Sequence, residues 1–176
     1  MDVALRPMAS RDLDQLHVWL NRPHVLEWWH DHPTRADVEE HYGPRLIGGS
    51  TVHMLVAEVG GRPVGWLAWY RLGDEPDYAP GLDLPDDAVA ADLAIGDPDL
   101  LGRGLGRTML GTWLGDVVAP LAPPAPAAFI DPDPMNGRAV ECYRALGFEP
   151  TGPLLPDPHH PDGLRLLMRL DLGAPG

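Results

Sequence analysis

Leu101-Gly102-Arg103-Gly104-Leu105-Gly106-Arg107 is a stretch whose residue types could hold a phosphate. The first N–H groups of a helix have no partner inside it, and the helix dipole places partial positive charge there. Glycines let the backbone approach an anion closely and take up positive φ. A glycine-rich strand-to-helix turn therefore suits a pyrophosphate, and Arg103 and Arg107 add charge to it. Taken alone, the run also fits a flexible turn opening a helix. A nucleotide-hydrolase loop would need Gly-Lys-Ser/Thr, which is missing. A dinucleotide fold would carry its glycines after the first strand, with a full βαβ array downstream.

The second stretch reads Asp131-Pro-Asp133-Pro-Met-Asn136-Gly-Arg-Ala-Val-Glu-Cys142-Tyr143-Arg-Ala-Leu-Gly-Phe148. Asp131 and Asp133 sit in good turn chemistry; as a binding group, Asp131 would hold a second ammonium of a polyamine substrate. Asn136 is placed to cap a helix, and Tyr143 follows two turns later on about the same face. Asp92 stands among Ala and Leu, where a carboxylate is costly unless partnered. It reads either as a structural hydrogen-bonding group or as an acid facing a substrate amine. Adjacent residues on one element point in different directions, so Trp28 and Trp29 do not both suit the core. Trp29 is a candidate to stack on a sugar face, with Tyr42 near it. His30 and His32 have no further His or Cys at ligand spacing, so no metal site is expected. Cys142 reads as packing, and His159-His160 as a solvated loop.

The chain has 176 residues and a formal net charge of −13. That length suits one domain over residues 1–176 with a substantial core. The acidity argues against nucleic acid, whose phosphates need a basic face. It would instead attract a cationic small molecule. Asp74, Glu75, Asp77, Asp83, Asp86, Asp87 and Asp92 concentrate it, and Asp86 and Asp87 are the candidate substrate-binding pair within the loop. Uniform acidity for solubility is the plainer reading. No apolar run of about 18 residues suggests a membrane span, and the first residues lack the build of a secretory leader. Cys142 is the single cysteine, which fits a reducing cytoplasm.

These groups need elements to position them. Val3 to Met8 reads as a strand. Ser10 predicts a helix N-cap, with an apolar stripe running to Leu20; Asn21-Arg22-Pro23 breaks that helix. Thr34 with Asp37 predicts a capping box opening a helix toward Ile47. Gly60-Gly61 marks a hairpin between strands over 51–59 and 63–72. Residues 73–87 read as a surface loop. A strand over 88–96 is followed by a helix over 104–118, a strand over 127–131, a helix over 135–146 and strands over 147–151 and 164–172. The order is β-α-α-β-β-β-α-β-α-β-β, an α+β fold with a mixed, mainly antiparallel central sheet flanked by helices. The single helix between the strands ending at Gly96 and at Asp131 makes those two strands parallel.

In order and spacing, Leu101–Arg107 and Asp131–Phe148 resemble the two acetyl-CoA-binding segments of the GNAT superfamily of N-acetyltransferases. Three further stretches carry the likeness to aminoglycoside 6′-N-acetyltransferases: Trp19-Leu-Asn-Arg-Pro-His-Val-Leu-Glu-Trp-Trp29, Ala36-Asp-Val-Glu-Glu-His-Tyr42 and Ala91-Asp-Leu-Ala-Ile-Gly-Asp-Pro98. Siderophore N-acyltransferases carry a similar Trp-rich segment. The resemblance spans Leu5 to Phe148 and fades in residues 73–87 and after Gly152. The residue three before the central glycine is Leu101, where the superfamily usually has Gln or Arg. The resemblance implies the GNAT fold, with acetyl-CoA wedged between two splayed strands and no metal. It implies that Gly102, Arg103, Gly104, Leu105, Gly106 and Arg107 take the pyrophosphate and that Asn136 contacts the pantetheine. A backbone N–H near Ile95 would stabilise the oxyanion. Asp92 would orient the amine and assist its deprotonation, and Tyr143 would protonate the departing thiolate. Trp29, Tyr42, Asp92 and Asp131 would meet an aminoglycoside, and the charge of Asp86 and Asp87 in the acidic loop would hold its ammonium groups. Transfer to a siderophore or another small amine is the alternative chemistry, and non-catalytic binding of acetyl-CoA or a cationic drug the alternative in kind. The enzyme is expected in the cytoplasm as a monomer or homodimer.

Overall fold

The computed structural model describes residues 2–30, 32–79, 81–157 and 162–173; His159 and His160 lie outside them. The chain divides into two compact units, one of Met1–Tyr70 with Asp92–Trp113, the other of Arg71–Ala91 with Leu114–Gly176.

In the first unit β1 (Ala4–Pro7) pairs antiparallel with β2 (His53–Val59), and β2 with β3 (Arg62–Arg71). Gly60 at φ 58° and Gly61 at φ 76° make the β2–β3 turn, the left-handed pair that a tight hairpin requires. β4 (Val89–Ile95) follows β3 in the sheet. The helices α1 (Leu13–Leu20), α2 (Pro23–Trp29) and α3 (Arg35–Tyr42) come between β1 and β2. Leu13, Leu16, Trp19 and Leu20 of α1 bury against Val25, Val38, Val56 and Trp66, each large side chain contributing about 1.5–3 kcal/mol by leaving water.

Ser10 does not cap this layer. It lies inside a 3-10 turn, Ser10–Asp12, preceded by Ala9. The Asp12 carboxylate instead accepts the Ala9 N–H at 2.9 Å. α1 ends at Leu20, as expected, and Pro23 opens α2 at its first turn. A fixed φ and a missing N–H suit that position, so the expected break conceals a helix. The Thr34–Asp37 box forms as expected, with the Asp37 carboxylate accepting the Thr34 N–H at 2.7 Å. That helix stops at Tyr42 rather than reaching Ile47, because Gly43-Pro44 turns the chain into a 3-10 segment.

The second unit is built on the strand order β4-β5-β9-β6. β5 (Ala127–Ile130) runs parallel to β4, Val89 opposite Ala128 and Ala90 opposite Phe129, as the one-helix crossover demands. β9 (Met168–Asp171) pairs antiparallel with β5 and with β6 (Glu149–Pro150). α5 (Gly137–Arg144) buries Val140 and Tyr143, and Ala127, Phe129, Phe148, Leu167 and Met168 are almost fully enclosed. The strand expected over 164–172 is broken. Leu166 donates its N–H to Pro132 at 2.8 Å. This leaves β8 (Leu164–Arg165) to pair with β7 (Leu155–Pro156) in a separate two-stranded sheet. The helix expected over 104–118 is α4 (Leu105–Thr112), continued by a wider turn, Trp113–Val118, in which Ala119 bonds back to Leu114.

Candidate active site

β4 leads through a short turn, Pro98–Leu100, into the glycine run. Gly102 at φ 71° and Gly104 at φ 79° are both left-handed, a conformation that penalises any side chain. A Cβ added to either would meet nothing within 4 Å. The backbone there is open to approach. Gly104 is the N-cap of α4. Thr108 N–H bonds to Gly104 O at 3.1 Å, so the N–H groups of Leu105, Gly106 and Arg107 precede the intrahelical ladder. Leu105 is fully buried and anchors the helix, while Arg103 and Arg107 are exposed. This arrangement fits a pyrophosphate: directed donors, open approach and two exposed cations.

Asp92 and Ile95 lie on β4, both half-buried. The segment at and after Ile95 is clamped. His24 Nε2 lies 2.8 Å from Ile95 O, and Val64 O accepts the N–H groups of both Gly96 (2.8 Å) and Asp97 (3.2 Å). A Cβ on Gly96 would lie 2.2 Å from the Trp19 indole, and one on Gly65 2.5 Å from Ala94 O. Both glycines are therefore required by close approach. His24 and Trp19 come from α2 and α1, so the helical layer sets the backbone position at the end of β4.

Trp29 and Tyr42 are brought together as expected. With Leu20, His32, Asp37 and His41 they line a cavity of about 360 Å³. The Trp29 ring stands edge-on to Trp66 with centroids 5.6 Å apart, and Tyr42 to Trp66 at 6.4 Å. Arg45 lies over the Tyr42 ring at 5.2 Å. His30 closes α2 in a left-handed conformation. Among the described residues no group of three or more His, Cys, Asp or Glu could hold a metal ion, and no helix is long and apolar enough to cross a membrane.

In the second unit Asn136 caps α5, its Oδ1 accepting Ala139 N–H at 3.1 Å. Tyr143 is 8% exposed, its ring 6.3 Å from Phe148. Asp133 serves the turn, accepting Met135 N–H at 2.7 Å. Asp86 and Asp87 are exposed. Their backbone carbonyls pin the loop, to Gly73 N–H at 2.8 Å and to Arg71 Nη1 at 2.7 Å.

Asp131 already has a cation. Arg165 Nη1 donates to its Oδ2 at 2.7 Å, with only 8% and 15% of the two side chains exposed. Burial pushes the Asp131 carboxyl up, against the opposing pull of Arg165. The guanidinium also donates to Pro156 O at 3.2 Å and to Tyr78 O, and lies 5.3 Å from the Tyr78 ring centroid. The acidic loop is thus tied at Tyr78 to the pair. Neither His24 nor Arg165 stands out in the sequence. Each acts on a partner far along the chain, and neither has a periodic pattern around it.

The sequence matches the acetyltransferase (GNAT) domain family over residues 8–154. It is 34% identical over 163 residues to an aminoglycoside N(6′)-acetyltransferase type 1 of Klebsiella pneumoniae, covering 85% of this chain and 75% of that protein. It is 30% identical to the lysine N-acyltransferase MbtK of Mycolicibacterium paratuberculosis, over 77% of this chain and 60% of that one. Among solved structures, AAC(6′)-Ib with paromomycin and acetyl-CoA superposes with a TM-score of 0.82 at 30% identity, covering 98% of this chain and 94% of that chain. AAC(6′)-Ib with coenzyme A and kanamycin gives 0.80 at 31%, covering 97% and 95%. With its α+β mixed sheet and its glycine turn at the head of α4, this chain belongs to the GNAT acetyltransferases, beside the aminoglycoside 6′-N-acetyltransferases.

Proposed function

We propose that the chain transfers the acetyl group of acetyl-CoA to a primary amine of a polycationic small molecule, the 6′-amine of an aminoglycoside. The observation that carries this is the open, left-handed turn of Gly102 and Gly104 at the head of α4, in a chain that shares about a third of its residues with enzymes of that activity. Residues 1–176 act as one acetyltransferase domain, in the cytoplasm, as a monomer or homodimer.

Gly102 to Arg107 hold the pyrophosphate through backbone N–H groups, with Arg103 and Arg107 supplying charge. Asn136 contacts the pantetheine while capping its helix. Transfer is direct: a neutral amine attacks the thioester carbonyl, and no acyl-enzyme forms. Asp92 orients the ammonium and assists its deprotonation, directly or through water. A backbone N–H near Ile95 steadies the oxyanion, and its fixed position is where catalysis gains most. Tyr143 gives its proton to the sulfur as the carbon–sulfur bond breaks. Trp29 and Tyr42 offer aromatic faces to the sugar, and Asp86 and Asp87 attract its ammonium groups. Acylation of a lysine- or siderophore-type amine is the second reading; the likeness to MbtK favours it, and the acidic loop opposes it.

Thiol release from acetyl-CoA, measured against kanamycin-, gentamicin- and siderophore-type amines, tests the assignment. Release with the aminoglycosides alone supports the first reading. Release with the siderophore-type amine alone replaces it, and binding of both ligands without release reduces the protein to a binder.

A further inference from the structure

We infer that Arg165 determines which amines the acceptor site takes, by occupying from within the chain the cation position on Asp131. The inference rests on the proposed function and on the expectation, implied by the family resemblance, that Asp131 meets the acceptor. Asp131 is a carboxylate at the end of β5, and its two neighbours in the site are both built into the fold. Arg165 reaches it at 2.7 Å from β8, and Tyr78 of the acidic loop is held beside the pair by its backbone O, which accepts from the same guanidinium.

The guanidinium is used on every edge. Nη1 goes to Asp131, Nη2 to Tyr78 O and Nε to Pro156 O, while its face lies against the Tyr78 ring. Such a fork is held by several bonds at once and is 6% exposed, so it is not a surface cation that solvent screens. An acceptor ammonium that takes the Oδ2 position must remove Arg165 from three carbonyl or carboxylate partners, and one that approaches the other oxygen meets a carboxylate whose charge Arg165 already offsets. The first route would also leave a guanidinium without partners in a buried place, which is strongly unfavourable. An acceptor that sets a neutral hydroxyl toward Asp131 needs no such displacement. The site as folded therefore favours acceptors with a single ammonium at the reacting ring, and it discriminates against those that bring a second one beside it. The rest of a polycation remains free to meet the exposed carboxylates of Asp86 and Asp87.

Kanamycin A and kanamycin B make the comparison, since the second carries an ammonium where the first has a hydroxyl on the ring bearing the 6′-amine. Affinities are measured by titration calorimetry, so no turnover is needed. The wild-type protein should bind kanamycin B no better than kanamycin A. Arg165→Gln exposes Asp131 to the ligand, and the preference for kanamycin B should rise at least about tenfold, as close charge pairs at interfaces allow. The double variant Asp131→Asn/Arg165→Gln carries neither charge and should lose that gain. It also provides a folded reference if the single variant unfolds, and Arg165→Lys, which keeps the charge without the fork, should then show a smaller shift in the same direction. An unchanged ratio in folded Arg165→Gln or Arg165→Lys, or a gain that survives Asp131→Asn, overturns the inference. Absence of thiol release with every amine would instead sink the acetyl-transfer reading, and the binding ratio would still judge Arg165.

Discussion

Replacing Gly104 by alanine separates the conformational role of the turn from its role in binding. At φ 79° and ψ 4° the residue is left-handed, and an L side chain there costs roughly 1–2 kcal/mol. The added Cβ meets no protein atom within 4 Å, so no packing penalty is added. Gly61, at φ 76° in the β2–β3 turn and likewise open, supplies the control with the same strain and no ligand. Both variants should therefore lose similar stability, about 2–8 °C in Tm at 2–4 °C per kcal/mol for a chain of this size. Only Gly104→Ala should lose ligand. Its methyl group stands in the space a pyrophosphate must enter, and forfeiting one charge-assisted N–H···O bond costs about 1.5–3 kcal/mol. At 1.4 kcal/mol per decade this is about 10–150-fold in the Kd for coenzyme A. Calorimetric titration of coenzyme A into both variants, with thermal unfolding alongside, reads the two effects. If Gly104→Ala binds as tightly as Gly61→Ala while both are folded, the glycine turn is not the phosphate site.

Tyr143→Phe keeps the buried ring and deletes the hydroxyl; kcat should fall about 10²–10⁴-fold with coenzyme A affinity unchanged, and a near wild-type kcat would confine the residue to packing. Aminoglycoside KM should rise with salt, since exposed charges are screened beyond about 8 Å at 0.15 M. Asn at Asp86 and Asp87 should flatten that slope, whereas Asp92→Asn should lower kcat/KM at every salt concentration; an Asp92 variant with intact kcat would remove it as base. Asp12 is gripped by Arg6 at 2.7 and 2.8 Å, and that bond, the largest cause, holds its carboxyl below the usual range. A depressed folded pKa adds stability that is present above the ordinary carboxylate pKa of about 4 and is lost as pH falls through the folded value. Asp12→Asn should thus cost roughly 2 kcal/mol near neutrality, and urea titrations should show the gap closing below about pH 4. A gap that persists at pH 2 would mean the loss is steric.

What is legible in the sequence follows from how far apart the cause and the effect lie along the chain. The glycine turn, the Thr34 capping box and the parallel β4–β5 pair are local, or follow from a single crossover, so spacing alone recovers them. Pro23 misleads because one chemical property, the missing N–H, both ends α1 and opens α2. The contacts that tune the site are of another kind. His24 meets Ile95 O across 71 positions and Arg165 meets Asp131 across 34, joining elements whose own patterns say nothing of each other. Asp131 shows the consequence most clearly. By position it reads as an empty carboxylate ready for a substrate ammonium, yet β8, a strand of two residues too short to leave a periodic signal, delivers a cation onto it. On the inference drawn for Arg165, a relative with the same Asp-Pro motif but no arginine at that position would present a different acceptor site.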